Sequence, residues 1–156
     1  MSEEVFMREA LIEAQKAYDK DEVPVGAVIV YNGKIIARAH NLVETKQDPT
    51  AHAEMLCMAE AASFLGNWRL LHATLYCTLE PCIMCAGAMI SSRLPFLVWG
   101  APDVRQGAHG SWVNILDASH PIHRVSCSSG VCAEESSYLM KRFFKEKRRD
   151  PCLTKS

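Results

Sequence analysis

Asn32-Gly33 stands between Val23–Tyr31, a run rich in valine and isoleucine, and Lys34–His40. An Asn-Gly pair favours the left-handed backbone of a two-residue hairpin turn, so the flanking runs read as antiparallel neighbours. A sheet that contains them is not of the purely parallel, doubly wound kind. Upstream, Phe6–Tyr18 carries Phe6, Ala10, Ala14 and Ala17 at helical spacing and predicts an amphipathic helix. Downstream, strands and helices alternate. A helix is expected from about Ala51 to Phe64, closed near Gly66. A strand over Thr74–Leu79 follows. Pro81 then opens a helix running to about Ser92, where its missing N–H costs nothing. Phe96–Trp99 reads as a fourth strand. Gly100–Gly110 reads as a loop, with a short helical piece near Trp112–Leu116. Val125 marks a weak fifth strand, and Ala133–Arg148 a final helix with Leu139 and Phe143 on one side. This order indicates an α/β layered domain with a mixed sheet.

A length of 156 residues predicts one domain over 1–156. No apolar run approaches the roughly 18 residues that cross a bilayer, so no membrane partner is expected. Met1–Ala10 lacks a signal-peptide pattern, which points to the cytoplasm. The cysteine count of 7 is odd and argues against a disulfide scaffold. The net charge of −1 does not announce a nucleic-acid binder. Its distribution says more: Ser2–Glu22 is mostly acidic, whereas Lys141–Arg149 is strongly basic. Two readings of the basic end stand side by side, a phosphate-facing patch and a solvated helix end whose cations suit the dipole.

The chemistry concentrates in His52-Ala53-Glu54 and Pro81-Cys82-Ile83-Met84-Cys85, each at a predicted helix start. Cys82 and Cys85 are three apart, so both can point from the first turn toward one ion. A helix N-terminus favours the thiolate, the form that binds metal. His52 adds a nitrogen from the other helix. Three protein ligands leave one tetrahedral corner open, the pattern of a catalytic zinc site, and two thiolates with an imidazole suit zinc over magnesium or calcium. A lone Cys-x-x-Cys after a strand also fits a thiol–disulfide redox pair, in which His52 and Glu54 would be idle. Cys57, Cys77, Cys127, Cys132 and Cys152 read as core or incidental thiols, with Cys57 one helical turn past Glu54.

These segments match the zinc nucleobase-deaminase signature. Their surroundings resemble the tRNA adenosine deaminases of the TadA type. The stretches that carry the likeness are Glu22–Val28, Asp48–Glu54, Thr78–Cys82, Cys85–Ala88, Trp99–Asp103 and Phe143-Phe144 among bases. The resemblance covers roughly Phe6–Arg148. It implies a cytidine-deaminase-like three-layer α/β/α sandwich with a five-stranded mixed sheet, and a homodimer. It also implies hydrolytic conversion of the wobble adenosine of a tRNA anticodon, usually of an arginine tRNA, to inosine. Cys77 departs from the β-branched residue common in the family, and Pro102 and His109 lie in a variable loop.

The resemblance also implies roles. One zinc ion per subunit, on His52, Cys82 and Cys85, would activate water, with Glu54 moving protons without binding the ion. The backbone and carboxylate of Glu80 would be the groups that hold the amino group of the base. Val25, Asn41 and Ala51 would line its pocket, although Asn41 also reads as a turn residue. Asp103 would contact a neighbouring sugar. Phe144 would stack beside a flipped base, or pack in the core, with Lys145, Arg148 and Arg149 near phosphates of the anticodon stem-loop. Ala86, Gly87 and Ala88 allow a close backbone approach, within the domain or across a dimer. The rival readings are a deaminase of a free nucleobase or nucleoside, a thiol oxidoreductase, and a zinc-holding RNA-binding module without catalysis.

Overall fold

A computed structural model describes residues 2–149; Cys152 lies outside the described residues. Helix α1 (Glu3–Asp19) precedes the hairpin of β1 (Gly26–Tyr31) and β2 (Lys34–His40). Asn32 and Gly33 take φ of 50° and 75° at its turn, the paired positive values that an Asn-Gly turn supplies. After the single turn α2 (Val43–Lys46) come α3 (Ala53–Leu65), β3 (Ala73–Leu79), α4 (Ile83–Ser91), β4 (Phe96–Ala101), β5 (Ser126–Ser129) and α5 (Ala133–Arg149). The strands form one five-stranded sheet in the order β2-β1-β3-β4-β5. β1 is antiparallel to both β2 and β3, while β3, β4 and β5 run parallel.

Strand periodicity divides the core. Ala27, Ile29, Leu75, Cys77, Leu97 and Trp99 face one side, packed with α3 and α4. The residues between them, Val28, Val30, Tyr76 and Val98, face the other and pack on Phe6, Met7 and Ala10 of α1. The layers are therefore helix, sheet, helix, as the resemblance implied. On the second side α1 crosses β1 at Gly26. A Cβ there would fall closer than 3.0 Å to backbone atoms of Ala10 and Ala14. Gly26→Ala is expected to destabilise by about 2–3 kcal/mol through overpacking; urea denaturation would read the fall in midpoint.

Several boundaries differ from the sequence expectation. β1 begins at Gly26 rather than Val23, and β4 extends to Ala101. α3 and α4 begin at Ala53 and Ile83, so Pro81 stands outside α4. The expected helical piece near Trp112–Leu116 is absent. There Trp112 and Val113 both donate to the Gly107 carbonyl and Ile115 donates to Ala108, forming a bridge between His109 and Asn114 instead. β5 lies just after Val125, in a Ser-Cys-Ser-Ser run that pairs with β4 rather than following an apolar pattern. α2 was not foreseen; four residues carry no periodicity. Its first amides are held by buried Glu22, whose carboxylate accepts the N–H groups of Glu44 (3.0 Å) and Thr45 (2.6 Å).

Candidate active site

The two helix starts meet at one point. Past the end of β2, Asn41 Oδ1 accepts the Ala53 N–H at 2.8 Å. That bond satisfies one of the free amides at the start of α3, and the residue in the cap position, His52, makes no capping bond of its own. Cys82 occupies the same position on α4, again without a capping bond. Both are extended, with ψ of 150° and 174°, so neither side chain is spent on its helix. Cys85 lies in the first turn of α4 and is fully buried.

Cys82 Sγ and Cys85 Sγ lie 3.5 Å and 3.6 Å from His52 Nδ1. The three donor atoms all fall within 4.8 Å of one another. An ion bonding sulfur at about 2.3 Å and imidazole nitrogen at about 2.05 Å, with tetrahedral angles, holds the two about 3.6 Å apart. The trio therefore has the spacing as well as the softness to hold a metal ion. Cys82 is held down to about 4, first by the hydrogen bond from Cys85 and then, against burial, by His52. Cys85 is pushed far up because it donates to Cys82 and is buried. His52 is raised, chiefly by its bond to Cys82. A cation bound by both sulfurs would displace the proton between them.

Glu54 is 4% exposed, and burial raises its carboxyl above the usual range. It borders a cavity of about 310 Å³ that His52 and Cys82 also line. Val25, Asn41, Glu80, Asp103 and Phe144 stand on the same wall. Asn41 proves to be neither a simple turn residue nor solely a wall: its oxygen caps α3, and the residue also lines the cavity. Phe144 is not a core residue. Phe143 takes that place, packed edge-on against Tyr18, while Phe144 is 39% exposed.

Other expected wall residues are placed differently. Ala51 is buried and not among the residues that line the cavity, its carbonyl taking the Leu42 N–H at 3.0 Å. Lys145 and Arg148 lie exposed on α5 outside the cavity; Arg148 Nε donates to the Phe144 carbonyl at 3.3 Å. The Glu80 carboxylate is also not free. Buried at 2% exposure, it accepts the N–H groups of Asp103 (3.2 Å), His109 (2.9 Å) and Ser111 (3.2 Å), and the Ser111 hydroxyl. It organises the loop after β4, and Gly107 is required beside it because a Cβ there would collide with the carboxylate. Sequence reasoning missed Val43, Arg105, Gln106 and Met140 on the wall. Only Met140 left a signal, one helical turn before Phe144 on the same face of α5.

The fold and the His-Cys-Cys site define a deaminase domain: the family model of MafB19-like deaminases matches residues 1–148. The tRNA-specific adenosine deaminase of Bacillus subtilis is 52% identical, over 94% of this chain and 91% of its own. The chloroplastic tRNA(adenine(34)) deaminase of Arabidopsis thaliana is 50% identical over 91% of this chain, which spans only 12% of that longer protein. A solved structure from a study of A-to-I editing by tRNA:A34 deaminases superposes with a TM-score of 0.83 and 42% identity, covering 86% of this chain and 98% of its own. The chain belongs to the family of tRNA-specific adenosine deaminases.

Proposed function

We propose that this protein converts adenosine to inosine at the wobble position of a tRNA anticodon, with zinc held by His52, Cys82 and Cys85. One observation carries the reading: the donor atoms have tetrahedral spacing, and the buried Glu54 borders the same cavity. The names of the relatives support adenosine in tRNA as the substrate. A zinc ion bound by this trio supplies a nucleophile at neutral pH by acidifying water.

The chain's own residues do the rest. Glu54 takes the proton released as the water oxygen bonds the amino-bearing carbon of adenine, and passes it to the adjacent ring nitrogen. It then carries the remaining hydroxyl proton to the amino group, which leaves as ammonia when the carbon–nitrogen bond breaks. Burial suits Glu54 to both steps by bringing its pKa toward the working pH. None of the described backbone hydrogen bonds ends on the Glu80 carbonyl, so this atom, rather than the carboxylate, is the acceptor available to the leaving amino group. Asn41 presents amide donors to the base edge, and Phe144 offers a ring face for stacking. Lys145 and Arg148, exposed on α5, would meet phosphates beyond the flipped base. The test is product analysis of a tRNA anticodon stem-loop beside free adenosine, cytidine and guanine, with and without chelator. Inosine from the stem-loop alone, lost on chelation, is the expected result; turnover of the free compounds only would overturn it.

The same reading includes a homodimer through α4. Gly87 is exposed and nothing lies within 4 Å of a Cβ built on it. A helical glycine costs about 0.5–1 kcal/mol against alanine, and among the described residues no neighbour requires it. Ile83, 47% exposed one turn earlier, extends an apolar surface beside it. Gly87→Arg is expected to keep the monomer folded and abolish the dimer. Sedimentation at micromolar concentration checks both species; a wild-type monomer would defeat the assignment.

A further inference from the structure

We propose that His109 is a positioning residue that latches the loop after β4 against the sheet, and so holds Asp103, Arg105 and Gln106 at the cavity wall. The inference rests on the function proposed above only for what the wall receives. It starts from an indole. Trp99 lies on β4 and is 8% exposed. Its Nε1–H donates to His109 Nδ1 at 2.9 Å, with the rings edge-on, 5.7 Å between centroids and 89° between planes. An indole N–H can only donate, so Nδ1 carries no proton and the neutral ring is protonated at Nε2. Nε2 faces Asp117 Oδ1 at 3.1 Å and donates to it. Asp117 is held below the usual carboxylate range, first by Asn114 and next by His109. Its own N–H donates to Asn114 Oδ1 at 3.2 Å.

The imidazole thus bridges two segments that none of the described backbone hydrogen bonds joins, the strand at Trp99 and the turn at Asn114–Asp117. The backbone of the same residue reaches the site, because the His109 N–H is one of the donors to the buried Glu80 carboxylate. The Asp103 N–H is another. From Asp103 the loop continues to Arg105 and Gln106, whose amides donate to Asp103 Oδ1 at 3.1 Å and 3.3 Å. All three residues line the cavity. A strand, a ring and a carboxylate therefore fix one end of a segment whose other end is part of the site. His109 is neither one of the clustered donors nor a residue lining the cavity, and its imidazole bonds Trp99 and Asp117, so it acts through the loop and not on the reacting atoms.

The test compares wild type with His109→Ala, His109→Asn and Trp99→Phe in two measurements. Hydrogen exchange at the amides of Asp103, His109 and Ser111 is expected to quicken about tenfold in His109→Ala and Trp99→Phe. KM for a tRNA anticodon stem-loop is expected to rise about fivefold, the worth of one hydrogen bond, with kcat unchanged. His109→Ala and Trp99→Phe remove the same bond, so the double variant should be no worse than His109→Ala alone. Asparagine puts an amide oxygen where Nδ1 stood, and His109→Asn should recover most of the loss. Unchanged exchange, or faster exchange with KM unmoved, overturns the proposal, as do additive effects of the two substitutions. Should wild type form no inosine, the functional reading falls, and exchange at the three amides alone decides the latch.

Discussion

Glu54→Gln is expected to lower turnover by about 10²- to 10⁴-fold while leaving metal content unchanged, the range for losing a positioned acid–base group. The variant keeps the shape of the side chain and removes its ability to take a proton. Glu54 is 4% exposed, so no bulk base replaces it freely. The ion would be unaffected because Glu54 is not among the clustered donors. Metal analysis beside single-turnover inosine formation separates the two effects. Full turnover would reject the proton-transfer role, and loss of the metal together with activity would make Glu54 a ligand instead.

Cys85→Ala should abolish metal binding and activity together and also remove the stabilisation that the metal confers. Cys85 is fully buried, and its sulfur and that of Cys82 lie at comparable distances from His52. Two remaining donors make a poor tetrahedral site. A ligand bound only by the folded state stabilises it by about 2.7 kcal/mol at a free concentration one hundred times Kd. For a chain of this size that corresponds to about 5–10 °C in Tm. Wild type should therefore gain Tm when zinc is added to the chelated protein, and Cys85→Ala should show no gain. A variant whose Tm still climbs with zinc would place the third ligand elsewhere.

Legibility in the sequence followed from how local each signal is. The hairpin needed only Asn32-Gly33 and its flanks, and its turn has the expected left-handed pair. α5 needed only the spacing of Leu139 and Phe143, both buried. The metal trio was readable because each half sits at its own helix start. Trp112–Leu116 misled because its amides close a loop on Gly107 and Ala108, a choice set by residues distant in space. β5 carries no alternation, because its partner strand and not its own side chains places it. Glu80 was read as offering both backbone and carboxylate to the substrate; the carboxylate is engaged by the loop, and only the fold shows which atoms are already taken.

Sequence pattern alone singled out a candidate chemistry, since a soft nitrogen–sulfur donor set and an adjacent acid are properties of the residues themselves. The pattern also determined that sheet and helices alternate, because periodicity is written residue by residue. The tertiary structure decided how far apart the donors stand, which side chains still have a free polar atom, and which residues reach the cavity. Asn41 shows the division. Its amide was evident from the start, but that its oxygen is spent on α3 depends on where Ala53 lies, and that is set by packing between elements distant along the chain.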